Sequence, residues 1–177
     1  MLNLKKIILV IIIILAIVLI YNFNNKKTSS NITSSSDNTN IISGEFDESL
    51  SKKEAEWRSI LNPLQYHILR DAGTEIPYTG SLNNEKRSGT YFSVGCDIAL
   101  FRSEQKYDSR TGWPSFWAPI DENALVLGRE NGLGDARIEV LDKCGSHLGH
   151  VFDDGPDPTG KRYCMNSVAL YFLPDKK

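Results

Sequence analysis

The chain has 177 residues, with 20 basic side chains, 22 acidic side chains and three cysteines, and this length allows one ordinary domain. Its first 44 residues hold four lysines and one acid, so the remainder carries 16 basic and 21 acidic residues, a formal charge of −5. Such an acidic domain has no basic stripe of the kind that binds nucleic acid. Small molecules and protein surfaces are the expected partners.

The amino terminus predicts a membrane anchor. Residues 7–21 form an unbroken apolar run after Lys5 and Lys6, at the lower limit of the length that spans a bilayer as a helix. No small-residue cleavage site follows the run, so a retained anchor over residues 1–23 is favoured over a cleaved signal peptide. The positive-inside tendency keeps the amino terminus in the cytoplasm and exports the rest. We therefore expect a membrane-anchored protein whose globular domain is extracytoplasmic.

Composition divides the rest of the chain in two. Residues 24–44 are rich in Asn, Ser and Thr and poor in apolar residues, which predicts a disordered polar linker. The globular domain is then expected over residues 45–177.

Two short helices are predicted at the start of this domain. Apolar residues recur at helical spacing from Ser49 to Leu61, Asn62-Pro63 ends that helix, and a second runs from Leu64 to Asp71. Beyond Gly80, turn residues separate short apolar runs with strand character at residues 90–94, 125–127, 137–141, 150–152 and 165–172. Helices followed by short strands predict an α+β fold, mostly β, with an antiparallel sheet or barrel.

The stretch from His147 to Asn166 combines a cysteine with side chains that can activate it. Cys164 lies two residues after Arg162, on the same face if the segment is a strand. A thiolate is the nucleophilic form of cysteine, and a nearby cation favours it. The neighbouring side chains indicate a catalytic cysteine, although a free cysteine is more often a small buried hydrophobe.

The two histidines of this stretch leave several functions open. His147 and His150 have the spacing of half a zinc site, and a histidine can also be structural or act as a general acid. Asp154 and Asn166 add a carboxylate and an amide to the same stretch.

Further motifs surround this stretch in a specific order. They are Trp57 with Leu61, Thr74-Glu75, Gly89-Thr90-Tyr91, Leu100-Phe101, Lys106-Tyr107-Asp108-Ser109, Gly112-Trp113-Pro114-Ser115-Phe116 and Arg162-Tyr163-Cys164-Met165-Asn166-Ser167. From Glu54 to Phe172 the chain resembles the B class of peptide methionine sulfoxide reductases. This resemblance implies two antiparallel β-sheets that form an open barrel, with short amino-terminal helices. It also implies reduction of methionine-R-sulfoxide in oxidised proteins or peptides, which is protein repair after oxidative damage.

The resemblance also implies roles for the residues of the stretch. Cys164 attacks the sulfoxide sulfur and becomes a sulfenic acid, while His147 and His150 hydrogen-bond and protonate the oxygen. Asp154 orients a histidine or Arg162, and Asn166 holds the oxygen or a water.

Substrate binding and resetting follow from the same resemblance. Trp113 forms the aromatic wall for the methionine methyl group. No cofactor is expected, and a thioredoxin-like protein is the expected thiol reductant. Many relatives carry a resolving cysteine just before the Gly-Trp-Pro-Ser-Phe motif, where this chain has Arg110 and Thr111.

Cys96 and Cys144 correspond to the second members of two zinc-binding C-x-x-C pairs in many relatives. The first members are replaced by Ser93 and Leu141, and two thiolates are too few for a closed zinc site, so no metal is predicted. The hypothesis is a structural Cys96–Cys144 disulfide, in an oxidising compartment where disulfides persist. The alternative is that either cysteine resolves Cys164.

Two other classes of function compete with the reductase. A cysteine and a histidine also support acyl transfer, so a cell-wall hydrolase or acyltransferase fits an exported domain. A noncatalytic binding module tethered to the membrane is the third hypothesis.

Overall fold

The computed structural model of the chain describes residues 39–130 and 137–176. The predicted anchor at residues 1–23 and most of the predicted linker lie outside these residues. Within the described ranges, no helix has the length and apolar character needed to cross a membrane.

The described residues form ten strands and two α-helices, which turns and short 3-10 helices connect. The helices are α1 (Glu54–Ile60) and α2 (Pro63–Arg70). The strands are β1 (Thr39–Ser43), β2 (Gly89–Ser93), β3 (Ala99–Arg102), β4 (Lys106–Tyr107), β5 (Ser115–Phe116), β6 (Val126–Glu130), β7 (Ile138–Leu141), β8 (His147–Phe152), β9 (Arg162–Met165) and β10 (Leu170–Pro174). The predicted α+β class, mostly β with amino-terminal helices, is confirmed.

All described strand pairs are antiparallel and form two sheets. The larger sheet has the order β1-β6-β7-β8-β9-β5-β4, and the smaller has the order β10-β2-β3. Aromatic rings join the two sheets. Phe116 of β5 stacks on Phe101 of β3 with ring centroids 4.2 Å apart, and it meets Tyr91 of β2 edge-on at 4.9 Å.

The boundary between the two helices falls where the sequence predicts. The Asn62 side chain accepts a hydrogen bond from the Gln65 N–H, and Pro63 takes the first helical position of α2, where its missing N–H costs nothing. Trp57 is buried in the core, and α2 packs against β8. The first helix begins at Glu54, later than the predicted Ser49, because Glu48–Leu50 form a separate 3-10 turn.

Two boundaries differ from those the sequence predicts. Thr39–Ser43, assigned to the linker, forms β1 and pairs with β6, because an edge strand needs only backbone hydrogen bonds and no apolar pattern. The single strand expected over residues 165–172 is two strands, since a 3-10 turn at Ser167–Ala169 separates β9 from β10. As a result, β9 belongs to the larger sheet and β10 to the smaller one.

Candidate active site

One row of residues crosses the larger sheet and carries most of the candidate site. Cys164 in β9 lies opposite Ser115 of β5 on one side and His150 of β8 on the other. His150 in turn lies opposite Glu139 of β7. Opposed residues of antiparallel strands project from the same face of a sheet, so these four side chains share one face. Cys164 is the free cysteine of the three and is partly exposed.

A β-bulge brings the second histidine to this face. His147 and His150 are three residues apart and would point to opposite faces of a regular strand. The pairing shifts between Val140 and Leu141, so one extra residue of β8 is accommodated. The rings of His147 and His150 consequently lie edge to face, with centroids 5.3 Å apart.

Gly149 makes the bulge sterically feasible. Its φ of +155° is rare for residues with a side chain, and an added Cβ would lie 2.1 Å from the Cys164 carbonyl oxygen. Only glycine allows β8 and β9 to approach this closely at the level of the reactive cysteine.

His147 is held by a carboxylate that the sequence analysis missed. Its Nδ1 lies 2.7 Å from Glu139 Oε1, and both side chains are buried. Because an ionised carboxylate only accepts hydrogen bonds, Nδ1 carries the donated proton. His147 Nε2 is buried and has no hydrogen-bond partner within the described residues. Glu139 therefore fixes the ring so that Nε2 is available to a ligand.

Arg162 is oriented by Asp154, one of the two partners that the sequence allowed. The guanidinium donates to both carboxylate oxygens at 2.7 and 2.8 Å and lies over the Phe152 ring. This hydrogen bonding lowers the pKa of Asp154 and raises the pKa of Arg162. A charge interaction with Cys164 also contributes to the raised pKa of Arg162.

Asn166 has a different setting from the one expected. Its Oδ1 accepts from the Glu75 N–H at 3.0 Å, and its Nδ2 donates to the Leu148 carbonyl at 3.1 Å. With both ends of the amide bound to backbone, Asn166 links the loop at Glu75 to β8 between the two histidines. The geometry therefore gives it a positioning role.

Trp113 is anchored to the same loop. Its Nε1 donates to the Glu75 carbonyl at 3.1 Å. The Glu75 carboxylate is buried and accepts from the Ser167 and Val168 N–H groups, and burial raises its pKa. Glu75 thus connects Trp113 to the 3-10 turn at Ser167–Ala169, which follows β9. The sequence contained this glutamate in a motif but gave no sign of its contacts.

Cys96 and Cys144 form a disulfide away from this row. They lie in the turns that follow β2 and β7, with Cα atoms 5.9 Å apart. Asp142, the first residue after β7, lies beside them. The Asp142 carboxylate accepts from the Ser93 hydroxyl at 2.5 Å. Ligand atoms of Cys96, Asp142 and Cys144 lie within 4.8 Å of one another, but both sulfurs are used in the disulfide.

The chain is similar in sequence to the SelR domain family. The SelR domain model matches residues 61–174, a range that includes every candidate catalytic residue. Three similar proteins carry the name peptide methionine sulfoxide reductase MsrB. Those of Pseudomonas putida (strain W619) and Methanosarcina mazei are 52% and 48% identical over 128 residues, 72% of this chain and 96% and 91% of theirs. That of Methanosarcina barkeri is 47% identical over 131 residues, 73% of this chain and 92% of its own.

The chain belongs to this family, the B class of peptide methionine sulfoxide reductases. The resemblance read from the sequence motifs is thereby confirmed. Members of the class are peptide-methionine (R)-S-oxide reductases, which makes the chain an oxidoreductase.

Proposed function

We propose that this chain repairs oxidised proteins by reducing methionine-R-sulfoxide to methionine, with Cys164 as the nucleophile. The observation that supports this most directly is the row across the sheet. It gathers a free cysteine and two histidines on one face, and Glu139 fixes the imidazole of one of them, His147. A family member with this arrangement has the groups that sulfoxide reduction requires.

The chemical step transfers oxygen from one sulfur to the other. The Cys164 thiolate attacks the sulfoxide sulfur, and Arg162 favours its negative charge. The sulfoxide oxygen gains a proton either from Nε2 of His147 as the doubly protonated imidazolium, whose Nδ1 proton stays with Glu139, or from His150, as general acid catalysis provides. Methionine leaves with its sulfur reduced by two electrons, and Cys164 is oxidised to a sulfenic acid that retains the oxygen.

Trp113 supplies the wall against which the substrate methyl group packs. Its ring is fixed by the hydrogen bond to the Glu75 carbonyl, and methyl and thioether groups pack favourably on aromatic faces. Asn166 holds Glu75 and Leu148 together and so positions both the tryptophan and the histidines.

Resetting uses an external dithiol, for which we propose a thioredoxin-like protein. The sulfenic acid consumes two thiols and releases water and a disulfide, and no further cofactor is needed. Cys164 lies opposite His150, whereas Cys144 precedes β8. The three residues from His147 to His150 alone span about 10 Å of strand, which favours a structural role for the Cys96–Cys144 disulfide.

The amino-terminal sequence supports a proposal for the site of action. We propose that residues 1–23 anchor the chain in the membrane and that the catalytic domain is extracytoplasmic, where oxidised surface proteins are the substrates. The donor would then be exported or linked to the membrane. We also retain the open barrel as the finer description of the two sheets.

A single-turnover experiment tests this proposal. The full chain, without reductant, is mixed with peptides that carry either epimer of methionine sulfoxide, and the methionine released and the thiols lost are counted. We expect about one methionine per chain from the R epimer, one thiol lost, and no product from Cys164→Ser. Release of methionine by Cys164→Ser would refute the proposed nucleophile, and preference for the S epimer would refute the proposed substrate.

A further inference from the structure

A chain of three hydroxyl groups leads to the reactive sulfur. Thr111 Oγ1 lies 3.9 Å from Cys164 Sγ, at the long end for a hydrogen bond to sulfur. Ser109 Oγ lies 2.8 Å from Thr111 Oγ1 and 2.7 Å from Ser115 Oγ. Ser115 is fully buried and its hydroxyl also reaches the Trp113 carbonyl at 3.2 Å. Every hydroxyl in the chain therefore has a partner on each side.

The loop that carries Thr111 is fixed on both sides of this residue. Tyr78 donates its hydroxyl to the Arg110 carbonyl and its N–H to the Gly112 carbonyl, both at 2.8 Å. Arg110 and Gly112 have φ values of +59° and +96°, so Thr111 lies between two left-handed residues. Pinned turns of this kind hold a side chain in one direction before the substrate arrives.

We propose that Thr111 is a catalytic residue, whose hydroxyl, oriented through Ser109 and Ser115, donates a hydrogen bond to the Cys164 thiolate. This inference rests on the proposed function, because it concerns the same nucleophile. It assigns a task to the position where the sequence lacks a resolving cysteine. A hydroxyl cannot form a disulfide, so the contact acts on the attacking sulfur and not on its resetting.

The hydrogens of the chain can satisfy both protonation states of Cys164. When the cysteine is a thiol, the S–H donates to Thr111, and the hydroxyls donate in turn to Ser109, to Ser115 and finally to the Trp113 carbonyl. When it is a thiolate, each hydroxyl rotates and donates in the opposite direction, and Thr111 donates to the sulfur. The reversal gives up the longest of the three oxygen–oxygen contacts, the 3.2 Å bond from Ser115 to the Trp113 carbonyl, and gains a bond to a charged acceptor, which is the stronger kind.

Alkylation of Cys164 tests the contact without any sulfoxide. Because Cys96 and Cys144 are joined, Cys164 is the thiol that reacts with iodoacetamide in the non-reduced full chain, and its rate follows the thiolate fraction. Thr111→Val has nearly the same shape and no hydroxyl, Thr111→Ser restores the hydroxyl, and Ser109→Ala removes the next member. Thr90→Val is the matched control, since its hydroxyl contacts Arg102 in the smaller sheet.

We expect Thr111→Val to move the alkylation curve to higher pH, with a rate at pH 7 lower by on the order of tenfold and an unchanged plateau at high pH. An unchanged plateau separates loss of thiolate stabilisation from a change in access. Thr111→Ser should restore the curve, Ser109→Ala should shift it less, and Thr90→Val should match the wild type. Single-turnover sulfoxide reduction should slow in the same order.

Two results would overturn the inference. Thr111→Val could give the wild-type curve, or Thr111→Ser could give the Thr111→Val curve, and in either case the hydroxyl does not stabilise the thiolate. Failure of the wild type to reduce either sulfoxide epimer would refute the proposed function instead, and the alkylation curves would still decide the contact.

Discussion

Two regions of the molecule hold cysteines next to buried carboxylates, and they differ in whether the groups that hydrogen-bond to the carboxylate keep an unpaired nitrogen of their own. In the turn beside the disulfide, the Asp142 carboxylate accepts from the Cys144 and Ser146 N–H groups and from the Ser93 hydroxyl. In the row beside Cys164, the Glu139–His147 pair leaves Nε2 buried without a hydrogen-bond partner among the described residues. A network of paired donors and acceptors stabilises a turn, whereas a buried ring nitrogen without a partner is available to bind and protonate a ligand.

The same contrast separates the two kinds of cysteine. Cys96 and Cys144 are bonded to each other, and their backbone N–H groups donate to side chains of their own turns. Cys164 is free, partly exposed and within reach of Arg162 and Thr111. What sets Cys164 apart from the two disulfide cysteines is therefore a nearby cation and a nearby hydroxyl, not a nearby acid.

The largest expected effect concerns His147, whose Nε2 has no hydrogen-bond partner within the described residues. His147→Asn keeps a donor toward Glu139 but removes Nε2, so we expect kcat for sulfoxide reduction to fall on the order of 100-fold, as the loss of a general acid does. His67→Asn is the matched control, because His67 is an exposed histidine of α2. Glu139→Gln, which removes only the orienting charge, should cost about tenfold. A His147→Asn rate within a few-fold of the wild type would show that His150 alone protonates the oxygen.

The next largest effect concerns the disulfide between Cys96 and Cys144. Replacing both Cys96 and Cys144 with Ser opens a cross-link between residues 48 apart, which should lower the free energy of unfolding by about 2–4 kcal/mol. The reactive row is separate, so methionine release in a single turnover should stay near the wild-type value. Denaturant unfolding and single-turnover assays measure the two quantities. If the variant released methionine once but could no longer be reset by a dithiol reductant, the disulfide would belong to the catalytic cycle.

The smallest effect concerns the orienting pair at the edge of the row. Asp154→Asn should slow sulfoxide reduction several-fold, because Arg162 loses its bidentate partner. The Asp154 side chain is 62% exposed, so the stability difference from the wild type should be below about 1 kcal/mol. The pKa of Asp154 is lowered by Arg162, and the stabilisation is therefore present above pH 4 and lost as the pH falls through the lowered value. A stability difference that grew on acidification would contradict this pairing.

Helix and strand positions followed from the sequence where the signal is local. The Asn62-Pro63 boundary was predicted because capping and the missing proline N–H act within one turn. The linker boundary was placed too late, since β1 is held by its backbone pairing with β6. The break between β9 and β10 was also missed, because an apolar run does not reveal a change of sheet.

The candidate site was predicted in its members but not in its contacts. Cys164, Arg162, His147 and His150 fall in one stretch of sequence, and the motifs around them identified the family. Glu139 was missed because an acidic residue in an alternating strand reads as a solvent-facing position, and its contact with His147 depends on strand pairing and a bulge.

The sequence by itself determined the family, and it singled out Cys164 as the proposed nucleophile and Cys96 and Cys144 as a possible pair, since these depend on residue identity and order. Only the tertiary structure decided that Glu139 orients His147, that Asp154 orients Arg162, and that Asn166 positions backbone. The reason is physical. A hydrogen bond depends on distances of a few tenths of an ångström, and strand register, the bulge at Gly149 and the pinned loop at Thr111 set those distances.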